Sequence, residues 1–88
     1  MSNDQELVRK NIELSAEFSR YVFEHPEIEE SIPADAEVVL LPEYDNDLKA
    51  FNLTLGRRIE DGGGRVTYIS VGRLRPRQLS RIENLQVA

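Results

Sequence analysis

The sequence predicts an α/β domain with element order α-β-α-β: a βαβ unit with a two-stranded parallel sheet, preceded by a long N-terminal helix. Three observations predict it. In the stretch from Ile32 to Asp47, IPADAEVVLLPEYDND, a turn leads into a run of two β-branched residues and two leucines, and a proline stops it. Such an unbroken apolar run suits a strand covered on both faces. A second apolar run, Val66 to Val71, lies beyond one helix-length segment and a triple glycine. A connection of that length, carrying a helix, joins parallel strands, whereas antiparallel partners need only a short turn.

Taken in order, Ser2, Asn3 and Asp4 offer caps for a helix from Asp4 to Glu24, and Asn3 with Glu6 approximates a capping box. Leu7, Asn11, Leu14, Phe18 and Tyr21 form one stripe on this helix. Val8, Ile12, Ala16, Ser19 and Phe23 form a second, about a third of a turn away. One stripe serves a helix on a sheet; two imply contact on both sides. His25-Pro26 ends the helix, because proline disfavours the α conformation in the residue before it. Pro26 to Ser31 then has room for one more helical turn with Ile28 and Ile32 inward, and Pro33 to Ala36 reads as a turn with proline at its second position.

The first strand is predicted from Glu37 to Leu41, closed by Pro42, which brings no ladder donor. Asp45 is the expected N-cap of a helix from Asn46 to Asp61, with Leu48, Phe51, Leu55 and Ile59 as its buried stripe and Asn52 and Gly56 beside them. A glycine there points to a close approach, and Leu53 points away from the stripe. Gly62, Gly63 and Gly64 supply a left-handed cap and the return loop. They follow a helix instead of leading into one, so they are not a phosphate cradle. In the second strand, Arg65 to Val71, the face with Thr67, Ile69 and Val71 is the better core candidate. Residues 1–75 thus form one domain. Residues 76–88 form a basic, apolar tail in which Leu79, Ile82 and Leu85 stand three apart, a spacing that suits a short helix or an extended arm on a neighbour.

Charge is divided along the chain. Residues 1–61 carry fifteen acids and six bases, a net −9, while residues 62–88 carry five arginines and one glutamate, a net +4. A basic tail on so acidic a body is expected to lie against its own or a partner's body, and nucleic acid is not an expected partner, since phosphates are repelled at long range. The chain has no cysteine and one histidine, which rules out disulfides, cysteine-based zinc or redox chemistry and a histidine-rich metal site within one chain. No apolar run approaches the roughly 20 residues of a membrane span. The acidic, polar start lacks the basic and apolar regions of a secretory signal, so a cytoplasmic location is expected.

In a parallel sheet, ligands bind beyond the carboxyl ends of the strands. That edge is predicted to carry Glu43, Tyr44, Asp45 and Asp47 from one strand end and Arg73 and Arg75 from the other. The plain reading is that Asp45 caps its helix, Asp47 complements the helix dipole, and one of the arginines pairs with an acid. The sharper readings are a divalent-cation site on Glu43, Asp45 and Asp47, or anion capture by Arg73, Arg75 and Arg77. No catalytic residue, metal ligand set or cofactor stands out, and His25 reads as a helix-end residue.

Residues 18–55, FSRYVFEHPEIEESIPADAEVVLLPEYDNDLKAFNLTL, resemble a family of short prokaryotic proteins classified only as a domain of unknown function. The shared features are the aromatic helix end before His25-Pro26-Glu27, then Ile32-Pro33, then Leu40-Leu41-Pro42, and Asp45 with Asn52. The resemblance spans Leu14 to Val71 and implies a stand-alone cytoplasmic domain without implying an activity. Two strands alone make a marginal core, so the chain is expected to pair with itself or with a small protein partner. The surfaces expected to do so are the open sheet edge, the second helical stripe with Val8, Ile12 and Phe23, the outward Leu53, and the tail with Leu79, Ile82 and Leu85. The functional expectation is a non-enzymatic interaction module, a small regulatory partner in the manner of an antitoxin. The alternative is a small-ligand or metal-dependent enzyme using Glu43 to Asp47 with Arg73.

Overall fold

A computed structural model describes residues 4–76 and 82–87. The chain runs through α1 (Asp4–Glu24), α2 (Glu27–Glu30), β1 (Ala36–Pro42), α3 (Asn46–Asp61) and β2 (Arg65–Val71). The two strands pair in parallel, from Ala36 opposite Arg65 to Pro42 opposite Val71, in a two-stranded sheet. The predicted order and strand direction hold. The expected caps Ser2 and Asn3 lie outside the described residues, as does Leu79. Residues 72–76 and 82–87 carry no regular secondary structure, so the short helix allowed by the tail's spacing is not formed over residues 82–87.

β1 extends one residue beyond each end of the predicted run and takes in Pro42. Register explains why a proline fits. The Glu43 N–H donates to the Val71 carbonyl at 2.9 Å. Residues two apart share an orientation, so Val39 and Leu41 also turn their backbone polar groups toward β2, while Val38, Leu40 and Pro42 turn theirs to the outer edge. The donor that Pro42 lacks is one the ladder does not use.

The core is small. Leu14, Leu40 and Leu48 form its centre, with Leu7, Phe18, Val38, Phe51, Ile69 and Val71 packed around them; full burial of each leucine contributes about 2 kcal/mol. Val39 and Leu40, adjacent and therefore on opposite faces, are 7% and 5% exposed, so β1 is covered on both sides as its apolar run predicts. Ile69 and Val71 supply the core face of β2.

Two details of α3 differ from expectation. Its fully buried line is Leu48, Asn52 and Gly56, and Phe51, Leu55 and Ile59 are half-buried. Gly56 accounts for the rotation: a Cβ there would stand 2.6 Å from the Cε1 and Oη atoms of Tyr68, so the helix approaches β2 more closely than any side chain allows. Leu53, expected to point outward, is half-buried.

The ends follow local rules. α3 closes in a Schellman motif: the Gly64 N–H donates to the Ile59 carbonyl and the Gly63 N–H to the Glu60 carbonyl, both at 2.9 Å. Gly63 takes the left-handed conformation, at φ 89°. At the end of α1, the His25 N–H donates to the Tyr21 carbonyl at 2.9 Å, and the His25 ring stacks on Tyr21 with centroids 4.1 Å apart. The histidine is a helix-end residue. The turn before β1 is closed by the Ala36 N–H and the Pro33 carbonyl at 3.1 Å, which sets Pro33 at its first position and not its second. Among the described residues, no helix is long and apolar enough to cross a membrane.

Candidate functional site

Parallel pairing brings the predicted residues to one end of the sheet, with Glu43, Tyr44, Asp45 and Asp47 leaving β1 and Arg73 and Arg75 leaving β2. The two sets do not engage each other. Glu43 Oε2 takes a hydrogen bond from Lys49 Nζ at 2.7 Å, and Asp45 Oδ2 takes one from Lys10 Nζ at 3.2 Å. Asp45 Oδ1 accepts the Leu48 N–H at 3.1 Å, the predicted N-cap. The expected pairing of an acid with Arg73 or Arg75 is therefore replaced by two lysines, one on α3 and one reaching across from α1. Arg73 and Arg75 are exposed and form no ion pair with any described residue.

These contacts tune the groups in ways that follow from their partners. The Lys49 hydrogen bond holds the Glu43 carboxyl below its ordinary value. Asp45 is held low first by the Leu48 N–H and then by Lys10. Burial raises the Tyr44 phenol, helped by the charges of Asp45 and Glu13. Glu43 and Asp45 are each held in the ionised form by a partner, which suits a helix start better than a poised general acid or base. Among the described residues, no group of three or more His, Cys, Asp or Glu side chains could hold a metal ion, so Glu43, Asp45 and Asp47 are not gathered as ligands.

The grooves lie elsewhere. One of about 490 Å³ runs between the start of α1 and one face of α3, lined by Leu7, Lys10, Asp47, Phe51, Leu55 and Arg58 among others. Of the six predicted ligand residues only Asp47 borders it. A second, of about 360 Å³, is mostly apolar and lies where α1, α2 and the start of β1 meet, with Phe18, Val22, Phe23, Ile32 and Val38 in its walls.

The predicted interaction residues are mostly on the surface. Phe23 is 88% exposed, Ile12 67% and Val8 46%, and the whole second stripe of α1 faces away from the core. In the tail, Ile82 is 66% and Leu85 77% exposed. Leu53 is half-buried.

Sequence reasoning missed the pair Asn11 and Asn52. Asn52 is 2% exposed. Its Nδ2 donates to the Leu40 carbonyl at 2.8 Å and to Asn11 Oδ1 at 2.9 Å, so one amide ties α3 to the outward side of β1 and to α1. Its Oδ1 accepts no hydrogen bond from a described residue. The available signal was an amide within or beside the apolar stripe of each of two helices, a costly placement unless each meets a partner.

A search of curated proteins and a search of solved structures each return no match. A family model matches residues 6–85, beyond both ends of the Leu14 to Val71 stretch that carries the resemblance, and so takes in the start of α1 and most of the tail. On that match, covering nearly the whole chain, the protein belongs to the family of unknown function DUF5647.

Proposed function

We propose that this chain is a non-enzymatic protein-interaction module, a small regulatory partner in the manner of an antitoxin, acting in the cytoplasm of a prokaryotic cell. The observation that carries the reading is surplus surface. The chain exposes 7529 Å², where a compact monomer of its mass exposes about 5300 Å². Exposed apolar residues such as Phe23, Ile12 and Leu85 contribute to it directly. A C-terminal segment, residues 62–88, of net +4 on a body, residues 1–61, of net −9 adds a means of holding a partner. A chain without cysteine needs no oxidising compartment to fold, which agrees with the proposed location. The ligand-edge alternative loses support because Glu43 and Asp45 are neutralised within the fold by Lys49 and Lys10.

Two experiments test this reading. Deleting residues 76–88 is expected to weaken association measured by sedimentation; unchanged association removes the tail from the account. A thermal-shift screen with divalent cations and nucleotides is expected to show no stabilisation. A ligand at one hundred times its dissociation constant adds about 2.7 kcal/mol, so a real site would be visible.

A further inference from the structure

We infer that the outer edge of β2 pairs antiparallel with β2 of a second copy of this chain, giving a four-stranded sheet, β1-β2-β2-β1, across a two-fold axis at Tyr68. This inference rests on the interaction-module reading and names its partner and surface. The register that turns Val71 toward β1 also turns the backbone polar groups of Val66, Tyr68 and Ser70 outward. Among the described residues these groups have no partner, and no third strand is present. The edge is seven residues long, with no proline, no lysine and one arginine at its start. Natural edges left unpaired are normally short, bulged, charged or covered, and among the described residues this one is none of these.

Three arguments select a second copy as the occupant. First, the strand is self-complementary about Tyr68: antiparallel pairing sets Val66 opposite Ser70 and Arg65 opposite Val71, so no like charges face each other. Every outward N–H and C=O of Val66, Tyr68 and Ser70 then finds a partner, about six new hydrogen bonds across the axis. Second, the pairing turns a marginal two-stranded sheet into one of a size that is stable in water. Third, the geometry places unlike charges together. In an antiparallel pair the end of one β2 meets the start of the other, so Arg73 and Arg75 emerge beside the partner's Asp61 at the end of α3, where the helix dipole also favours cations.

Ser70 gives a clean test. Its N–H points away from β1 and its side chain is exposed, so Ser70→Pro removes an intermolecular donor and sets a ring in the interface without taking a bond from the β1–β2 ladder. Ser70→Ala removes the hydroxyl alone. Sedimentation equilibrium is expected to find dimers for the natural chain and for Ser70→Ala. Ser70→Pro is expected to sediment as a monomer, or to dimerise at least tenfold more weakly, with its helical circular dichroism retained. Should Ser70→Pro fail to fold, an isotope-filtered NOE experiment on a mixture of labelled and unlabelled natural chain replaces it, and contacts between Tyr68 of one copy and Tyr68 of the other are expected. A dimer that survives Ser70→Pro but is lost on deleting residues 76–88, or a dimer without those contacts, overturns the edge pairing and leaves the interaction-module reading in place. A natural chain that remains a folded monomer at millimolar concentration overturns the pairing outright, and the module reading then rests on a different partner.

Discussion

The outer edge of β1 is closed twice over: Pro42 brings no donor to it, and Asn52 of α3 bonds to the outward carbonyl of Leu40. β2 is the same length and has neither device. Its outward groups at Val66, Tyr68 and Ser70 have no partner among the described residues. A chain able to defend one edge with a proline and a buried amide leaves the other undefended, and the cheapest physical account is that the second edge has an occupant. The comparison also separates a closed edge from an open one among the described residues. Asn52 ties the outer edge of β1 to α3, while β2 gives Ile69 and Val71 to the core and leaves its outer edge open among the described residues.

That division can be broken by substitution. The largest effect is expected for Asn52→Ala, which strands the Leu40 carbonyl and releases Asn11. A loss of about 2 kcal/mol by urea denaturation is expected, and a loss under about 0.5 kcal/mol would mean that the amide does not close the β1 edge. Gly56→Ala comes next. It gains about 1 kcal/mol of helix propensity, but its Cβ meets the Tyr68 ring and forces it from its 2.6 Å hydrogen bond to Glu60. The net expectation is a loss of about 1 kcal/mol, together with weaker self-association, because Tyr68 lies at the centre of the open edge.

Asp45→Ala should cost about 1 kcal/mol by removing the cap of the helix that seals β1. Its pH dependence has a definite sign. The folded-state carboxyl lies below its ordinary value of 3.8, so the contribution is present in full above that value and is lost as pH falls through the lowered one. Between pH 7 and pH 5 the natural chain and Asp45→Asn should therefore show parallel stability profiles, converging only below about pH 4. Smallest is Lys49→Ala. Its ion pair with Glu43 is exposed, and a change of a few tenths of a kcal/mol, fading with added salt, is expected from paired denaturation curves.

Local chemistry made the elements legible. Pro26 and Pro42 mark the ends of an amphipathic helix and an apolar strand, Asp45 and the three glycines bracket α3, and the lone connecting helix dictates parallel strands. Each of these signals acts within a few residues of itself. The candidate edge was legible in part: its residues do gather at one end of the sheet, because register alone decides that. Their partners were not, because Lys10 reaches Asp45 only once α1 has packed across α3, which nothing within either helix announces. Asn52 was hidden for the same reason. Its value depends on a carbonyl that faces outward only after the strand register is set. The buried line of α3 was misplaced by a few tens of degrees because the glycine that draws the helix inward counts for nothing in an apolar stripe.

Amide hydrogen exchange at Val66, Tyr68 and Ser70, followed as the protein is diluted, tests the contrast between the edges most directly. The account predicts that these three amides are protected at high concentration and lose protection on dilution, while the ladder amides of β1 are unaffected. Fast exchange at all three positions, independent of concentration, would contradict it.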